Sequence, residues 1–339
     1  MNRIIIFTIL LLACLAPLAG AQDEAVLLDE VVVTATRYEE KVSSVPANVT
    51  VITEEDIRNS TARNIPDLLR LDPGIHVNDI GGNQRNITVD VRGFGETAGL
   101  NTLVLIDGRR VNQADLSGTD WTQIPLERVK KIEIVRGGRG SILYGDNAAG
   151  GVINIITRDG EAMRAGAGAA VGSYDAFKGT ASFSNRTDRA AYSLNGTYLT
   201  SDGYRDNSDT EAKDAGFTIS YYPGDAVNLN FSTGYHKDNT GLPGAIKESE
   251  FDAGVSRTDS VNPDDFADVE DYYFKVTPEV YFLDDSLFRL DASYRKRAFL
   301  TFSTFALGDF TGDTEIKTTA LSPQVLLKNS LGDARNTLT

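Results

Sequence analysis

The sequence predicts an α+β domain followed by the strands of a transmembrane antiparallel β-barrel. Three observations predict it. The chain opens on an export leader, residues 46–160 mix capped helices with short strands, and from residue 161 onward apolar and polar residues alternate with a period of two. With 41% hydrophobic and 24% charged residues, the 339-residue chain has the balance of one that buries a core. Its formal charge of −15 opposes sequence-independent affinity for nucleic acid. Two histidines, His76 and His236, and one cysteine, Cys14, supply no soft-ligand cluster for structural zinc, iron–sulfur or haem.

The leader comes first. Arg3, an apolar run from Ile4 to Leu18 and the small-x-small sequence Ala19-Gly20-Ala21 are the three regions of a secretory signal peptide, predicted as residues 1–21. A lipoprotein signal at Cys14 is disfavoured because the apolar run continues past it. A membrane anchor is disfavoured because Pro17 interrupts a run shorter than the roughly 20 residues that span a bilayer. Removing Arg3 and Cys14 with the leader leaves 32 basic against 48 acidic residues, net −16, and no cysteine. Past Leu18 no stretch is apolar for the length of a spanning helix, so an exported chain of this kind is soluble or crosses a membrane as a β-barrel.

Residues 22–45 form a linker carrying a β-branched run, Glu30, Val31, Val32, Val33, Thr34 and Ala35, which favours extended backbone. Such a run is an edge strand, or a terminal strand that pairs with the sheet edge of a partner. In residues 46–160, Thr53 before Glu54, Glu55 and Asp56 caps one short helix, and Asn64-Ile65-Pro66-Asp67 opens a second that ends near Pro73-Gly74. Strands follow at Ile87 to Val91, at Leu103 to Ile106, and from Val129 to Ile134. Asp107-Gly108 turns the second of them back toward Val111. The domain closes with Gly150-Gly151 and the apolar run to Thr157.

Two motifs need a second reading. Gly93-Phe94-Gly95-Glu96-Thr97-Ala98 fits a dinucleotide-binding turn, but Leu100 to Asp107 reads as strand and hairpin where that motif needs a helix, so the glycines are taken as turn positions. The basic group Arg128, Lys130, Lys131, Arg136 and Arg139 is interleaved with Glu127 and Glu133. That pattern fits a charged face docking on another protein surface better than a phosphate patch. No Walker loop, HExxH or G-x-S-x-G occurs.

Several of these segments together resemble the family of TonB-dependent outer-membrane receptors. Asp29 to Ala35 is similar to their TonB box. Their plug-domain signatures are resembled at Arg92 and Gly93, at Asp107 and Gly108, at Glu127, Arg128, Glu133, Arg136 and Gly137, at Tyr144 and Gly145, and at Gly150 and Gly151. Behind a signal peptide and in the family's order, the likeness covers about 130 residues continuously. It implies an α+β plug domain inside the transmembrane antiparallel β-barrel.

Eight candidate strands alternate after residue 160, near 163–171, 177–184, 192–198, 217–222, 227–236, 272–277, 288–295 and 319–327. One face is rich in Gly, Ala, Phe and Tyr, while the other carries Lys178, Asn195, Asn230, Arg289 and Arg295. That is the pattern of a transmembrane barrel rather than of a soluble β-sandwich, whose dry core prefers large aliphatics. A domain of 115 residues has a radius of gyration near 13 Å, too large for an eight-stranded lumen, whereas a barrel of about 22 strands can house it. Residues 161–339 are therefore expected to be the N-terminal part of a larger barrel.

Between Lys237 and Asp271 lies the longest irregular stretch, with three basic and ten acidic residues. It is expected on the extracellular side, as a solvated loop or as a source of hard oxygen ligands. Asp206, Asp209, Asp259, Asp264 and Asp265 are the candidates for calcium, a use of loop aspartates that the resemblance also implies for cobalamin receptors. No other cofactor is expected.

The resemblance implies active import of a metal chelate, a ferric siderophore or cobalamin, across the outer membrane. The implied partners are TonB with its inner-membrane energising complex, the chelate and outer-membrane lipid. No catalytic step is implied, and the two isolated histidines supply no acid/base pair. The alternative from the residues alone is a soluble periplasmic or secreted β-rich binding or adhesion protein.

Overall fold

A computed structural model describes residues 32–33, 40–41, 47–79, 87–113, 118–158, 160, 162–283, 286–331 and 334–338. The expected signal peptide lies outside the described residues, as do Glu30, Val31, Thr34 and Ala35. Of the box, β1 (Val32–Val33) is described as a strand, antiparallel to β2 (Glu40–Lys41), with Val32 opposite Lys41 and Val33 opposite Glu40.

The α+β domain begins with β3 (Asn48–Ile52) and α1 (Glu54–Asn59). The Thr53 hydroxyl accepts from the Asp56 amide at 3.2 Å while Asp56 Oδ2 accepts from the Thr53 amide at 2.9 Å, so the predicted cap is a reciprocal capping box. In α2 (Ile65–Leu69), Asn64 caps through the Asp67 amide at 2.8 Å and Pro66 sits in the first turn, where it removes no helical hydrogen bond. Then come β4 (His76–Asp79) and β5 (Ile87–Asp90), paired antiparallel, and the single turn α3 (Ala98–Asn101). The main sheet is completed by β6 (Thr102–Ile106), β7 (Arg109–Arg110), β8 (Val129–Arg136) and, after α4 (Arg139–Tyr144), β9 (Gly151–Thr157).

Its strand order is β3-β8-β9-β6-β7, with only β6 and β9 parallel. The predicted hairpin is present: Asp107 and Gly108 both have positive φ, +48° and +77°, and Ile106 pairs directly with Arg109. Ile132, Ile134, Ile153 and Ile155 on the central strands are fully enclosed with Ile65 and Leu69 of α2. Trp121 closes the core and donates its indole N–H to the Ile87 carbonyl at 2.9 Å.

The remaining strands form one antiparallel sheet in strict sequence order: β10 (Arg164–Val171), β11 (Phe177–Arg186), β12 (Ala190–Ser201), β13 (Thr210–Gly224), β14 (Val227–Gly241), β15 (Phe266–Phe282), β16 (Ser286–Phe305), β17 (Gly308–Leu331) and β18 (Ala334–Leu338). The eight predicted positions fall in β10 to β17, and β18 adds a ninth strand. The strands are longer than alternation alone indicated. Strands β14 and β15 also run into the stretch read as irregular from 237 to 271, which is corrected to a loop at 242–265 holding the short helix α5 (Glu248–Asp252).

Burial on this sheet is inverted relative to a soluble protein. Along β15 the inward positions Asp271, Tyr273, Lys275 and Thr277 are buried, while Phe274 and Val276 between them are 47% and 45% exposed. Strand β14 behaves alike, with His236 and Asp238 buried inward and Leu229 and Tyr235 exposed outward. A β-sandwich buries its apolar face; here the apolar face is the open one. The outward stripe runs from Val227 to Tyr235 and from Tyr272 to Val280, nine residues each, close to the roughly 9–11 that cross a bilayer in a tilted strand. Tyr235, Tyr272 and Tyr294 mark one border of the stripe, and Lys213, Glu270, Lys296 and Lys317 lie beyond it. Among the described residues no helix is long and apolar enough to cross a membrane, which says nothing of a β-barrel.

Arginine at the outward Val276 is expected to destabilise the folded protein in lipid vesicles by about 2–4 kcal/mol in urea titrations. The inward Ser293→Arg is expected to cost a fraction of that. Equal costs would overturn the assignment of faces.

Candidate functional site: the contact between domain and wall

The inward face of the wall takes every second residue, and the partners of its charged side chains come from neighbouring strands and from the α+β domain. Arg295 on β16 pairs with Asp271 on β15, its Nε donating to the carboxylate at 2.9 and 3.0 Å. Its Nη1 donates to the Val111 carbonyl of the domain at 3.2 Å and its Nη2 to Gln123 Oε1 at 3.3 Å. Lys275 donates to the Asp107 carbonyl at 2.6 Å and pairs with Asp291 at 2.8 Å. Across the same contact the Arg109 guanidinium lies 3.8 Å from the Tyr273 ring centroid. Burial pushes Arg109 down to about 10, with Arg295 and Arg128 adding to the fall, so it stays a cation at neutral pH.

A second cluster holds His236. Its Nδ1 is 2.7 Å from Asp214 and its Nε2 2.7 Å from Asp238, while Asp120 of the domain brings a third carboxylate. Asp120, His236 and Asp238 offer ligand atoms within 4.8 Å of one another, with Arg297 3.9 Å from Asp120. Of the two histidines, His236 is thus buried and His76 exposed.

The motif residues divide into those that build the domain and those that dock it. Asp90 Oδ1 accepts the backbone amides of Arg92, Gly93 and Phe94 at 2.8 to 3.0 Å, and Oδ2 accepts that of Gly95 at 2.7 Å. The glycine-rich turn therefore already holds a carboxylate where a nucleotide-binding turn would hold phosphate, and only one helical turn follows it. Burial raises Asp90, but the four amides outweigh it and keep the carboxyl below its ordinary range. Arg92 lies over Gly137, where φ is +103°. Glu133 is fully buried, bound by Lys131 at 2.9 Å and Asn154 at 3.1 Å. Arg136 ties β8 to Thr50 at 2.7 Å and to Asp72, and the Tyr144 carbonyl accepts from Arg110 at 3.1 Å. Gly145 ends α4 at φ +78°. Gly150 and Gly151 allow close passage, since a Cβ on Gly151 would sit 2.6 Å from the Val135 carbonyl.

Docking falls to four others. The Asp107 carboxylate holds the hairpin to β9 through the Thr157 amide at 2.9 Å and hydroxyl at 2.8 Å, which aims the Asp107 carbonyl at Lys275. Gly108, at the turn, would carry a Cβ 3.9 Å from Lys275 Nζ. Glu127 pairs with Lys178 at 2.6 Å, and Arg128 lies against Gly216, where a Cβ would come within 2.9 Å of its guanidinium. The docking expected of the basic group thus occurs within the chain. Sequence reading found the domain's half of this contact but missed Asp271, Lys275, Asp291 and Arg297 on the wall. The signal was present as charges at alternate positions of otherwise apolar strands.

At the opposite end from the short turn at 225–226, loop 202–209 braces loop 242–265. Arg205 donates to the Asp259 carbonyl at 2.9 Å and Asn207 to the Asn262 and Asp265 carbonyls at 2.7 and 2.8 Å. The Asp259 carboxylate accepts the Ser256 amide, and that of Asp265 accepts the Thr304 amide and the Asn262 side chain. None of Asp206, Asp209, Asp259, Asp264 and Asp265 belongs to the metal-capable group among the described residues.

Two outcomes follow. Arg295→Ala leaves Asp271 buried without its cation and is expected to cost about 3–5 kcal/mol in urea unfolding, with Arg295→Ala/Asp271→Ala recovering part of it. Because the folded Asp90 carboxyl is depressed, its contribution is present above the unfolded value of about 3.9 and is lost as pH falls through the folded value. Asp90→Asn is expected to cost about 1–3 kcal/mol at pH 7 and progressively less toward pH 3. A pH-independent difference would contradict this.

A sequence model described as the TonB-dependent Receptor Plug Domain matches residues 41–152. The vitamin B12 transporter BtuB of Vibrio cholerae serotype O1 is 46% identical over 136 residues, which are 40% of this chain and 22% of that protein. Among solved structures, the ferric citrate transporter FecA superposes with TM-score 0.74 at 19% identity, covering 86% of this chain and 46% of that one. The ferric yersiniabactin uptake receptor FyuA from Yersinia pestis gives TM-score 0.71 at 18% identity, covering 85% and 46%. The chain thus spans about a fifth of the curated relatives and about half of these solved ones. The α+β domain is thus similar to the plug domain of TonB-dependent receptors, and with the inverted wall held against it the chain has the fold of the plug and early barrel strands in these solved structures.

Proposed function

We propose that the whole protein imports a metal chelate, a ferric siderophore or cobalamin, across the outer membrane at the expense of energy delivered through TonB. The observation that carries this is the wall itself: its charged face is buried against the plug and its apolar face is open to lipid. Such a wall surrounds a lumen that the plug occupies, and passage requires the plug to move. The chelate binds at the end formed by loops 202–209 and 242–265, since long loops of such barrels lie outside the cell. Calcium bridging these loops through Asp206, Asp209, Asp259, Asp264 and Asp265 is part of the proposal, and chelate affinity that rises with added calcium would support it.

TonB pairs with the segment Glu30 to Ala35 as an added strand, using main-chain hydrogen bonds. In this chain β1 is already paired with β2, over two residues each, so the partner has little to displace. Proline at Val32 or Val33 removes a ladder donor. Val32→Pro is expected to abolish cellular uptake of labelled cyanocobalamin and of labelled ferric citrate, whichever the wild type accumulates, while surface binding at low temperature stays unchanged. Unchanged uptake would overturn the assignment of the box.

A further inference from the structure

Between the β6–β7 hairpin of the plug and the inner faces of β15 to β17 lies a cavity of about 980 Å³, the size of sites that hold small organic ligands. Eight lysines and arginines line it against three aspartates. Most of these cations are matched. Lys275 and Arg289 share Asp291 at 2.8 and 3.2 Å, and Arg295 holds Asp271.

Arg109 is different. Among the described residues it pairs with no carboxylate, and its Nη1 is enclosed without a hydrogen-bond partner. Its planar face is taken up by the Tyr273 ring, which leaves the in-plane N–H edges, the part of a guanidinium that binds carboxylate or phosphate in two-point fashion. Four residues on, Gln113 also lines the cavity, and its buried amide Nε2 lacks an acceptor. A largely enclosed cation beside like charges, next to an unused neutral donor, costs stability that the Tyr273 ring and the more distant Asp271 offset only in part. An oxyanion between them would satisfy both.

We propose that this plug–wall cavity is an oxyanion site, which takes a carboxylate or phosphate group of a small ligand with Arg109 as its charged contact and Gln113 as its neutral one. The site lies between plug and wall, away from the outer loops where the chelate first binds. It rests on the import reading only in one respect, that an anionic cargo would meet it on the way through.

The test is calorimetric titration of the full chain in detergent micelles with citrate and, separately, with pyrophosphate. One saturable site per chain is expected for at least one of them, citrate alone marking a carboxylate site and pyrophosphate alone a phosphate site. Arg109→Gln should weaken binding about tenfold or more and Gln113→Leu about threefold. Arg186→Gln, at a distant strand end where the guanidinium lies 5.6 Å from the Tyr222 ring centroid, should leave it unchanged. If Arg109→Gln fails to fold, Gln113→Leu decides. Absence of saturable binding to either anion overturns the proposal, as does affinity that Gln113→Leu leaves unaltered. Neither result bears on uptake in Val32→Pro, so this site and the import reading fail separately.

Discussion

The structure depends on where the polar face of the wall is satisfied. Hydrocarbon offers no hydrogen bonds, so a strand that crosses it must turn every charged side chain away from lipid and find partners on the other side. In β13 to β16 those side chains include Asp214, His236, Asp271, Lys275, Arg295 and Arg297, all buried. Their mutual pairs meet most of the demand. The plug meets part of the rest with backbone carbonyls, those of Asp107 and Val111, and with the Gln123 side chain. A carbonyl carries no net charge, so the plug can leave these contacts without exposing an unpaired anion of its own. The domain is thereby held in place largely by moderate bonds, with Glu127–Lys178 and Asp120–Arg297 as ion pairs that cross to it, while the pairs of Lys275, Arg289 and Arg295 remain within the wall.

That division explains why the family-like motifs concentrate where they do. Asp107 serves both sides at once: its carboxylate fixes the hairpin on Thr157, and its carbonyl receives Lys275. Asp90 organises the preceding turn by collecting four amides, which keeps Phe94 packed near Gly150 and the turn closed without any ligand. Gly216 is the wall's counterpart, a position bare of side chain so that Arg128 can lie against it. These are requirements of close approach between two surfaces.

How much of this was legible in the sequence follows from which forces act locally. The Thr53 and Asn64 caps, the Asp107-Gly108 turn and the alternation of Tyr272 to Thr277 are set by neighbours a few residues apart, and each was read correctly. Strand length was not, because β16 and β17 continue beyond the lipid stripe through Arg297, Thr301 and Lys317, where alternation no longer separates apolar from polar. The loop read from 237 to 271 shrank for the same reason: Asp238, Asp268 and Asp271 are strand residues whose acidity reflects the lumen and the outer water. Arg295 was visible as one charge on an inward face, yet its partners at Asp271, Val111 and Gln123 lie 24 to 184 residues away. Single-sequence periodicity carries no information on such pairings.

The sheet order of the plug also bears on how an applied force would travel. In the import reading, tension enters from the N-terminal side, and the first strand of the main sheet it reaches is β3. This is an edge strand, joined to β8 over five residues and to no other strand. The contacts with Lys275 and Arg295 come from the opposite side of the sheet, from the β6–β7 hairpin and the segment after it. Between the two edges stand β8 and β9, packed through Ile132, Ile134, Ile153 and Ile155 with no exposure. Pulling at β3 therefore loads a short ladder, the Arg136 bonds to Asn48 and Thr50 and the outlying Glu54–Arg164 pair before it loads the wall contacts of the β6–β7 side. An edge strand can open alone, whereas removing the plug as a body requires the β6–β7 contacts to break together. The geometry favours partial opening from the β3 side, with the hairpin still bound to the wall.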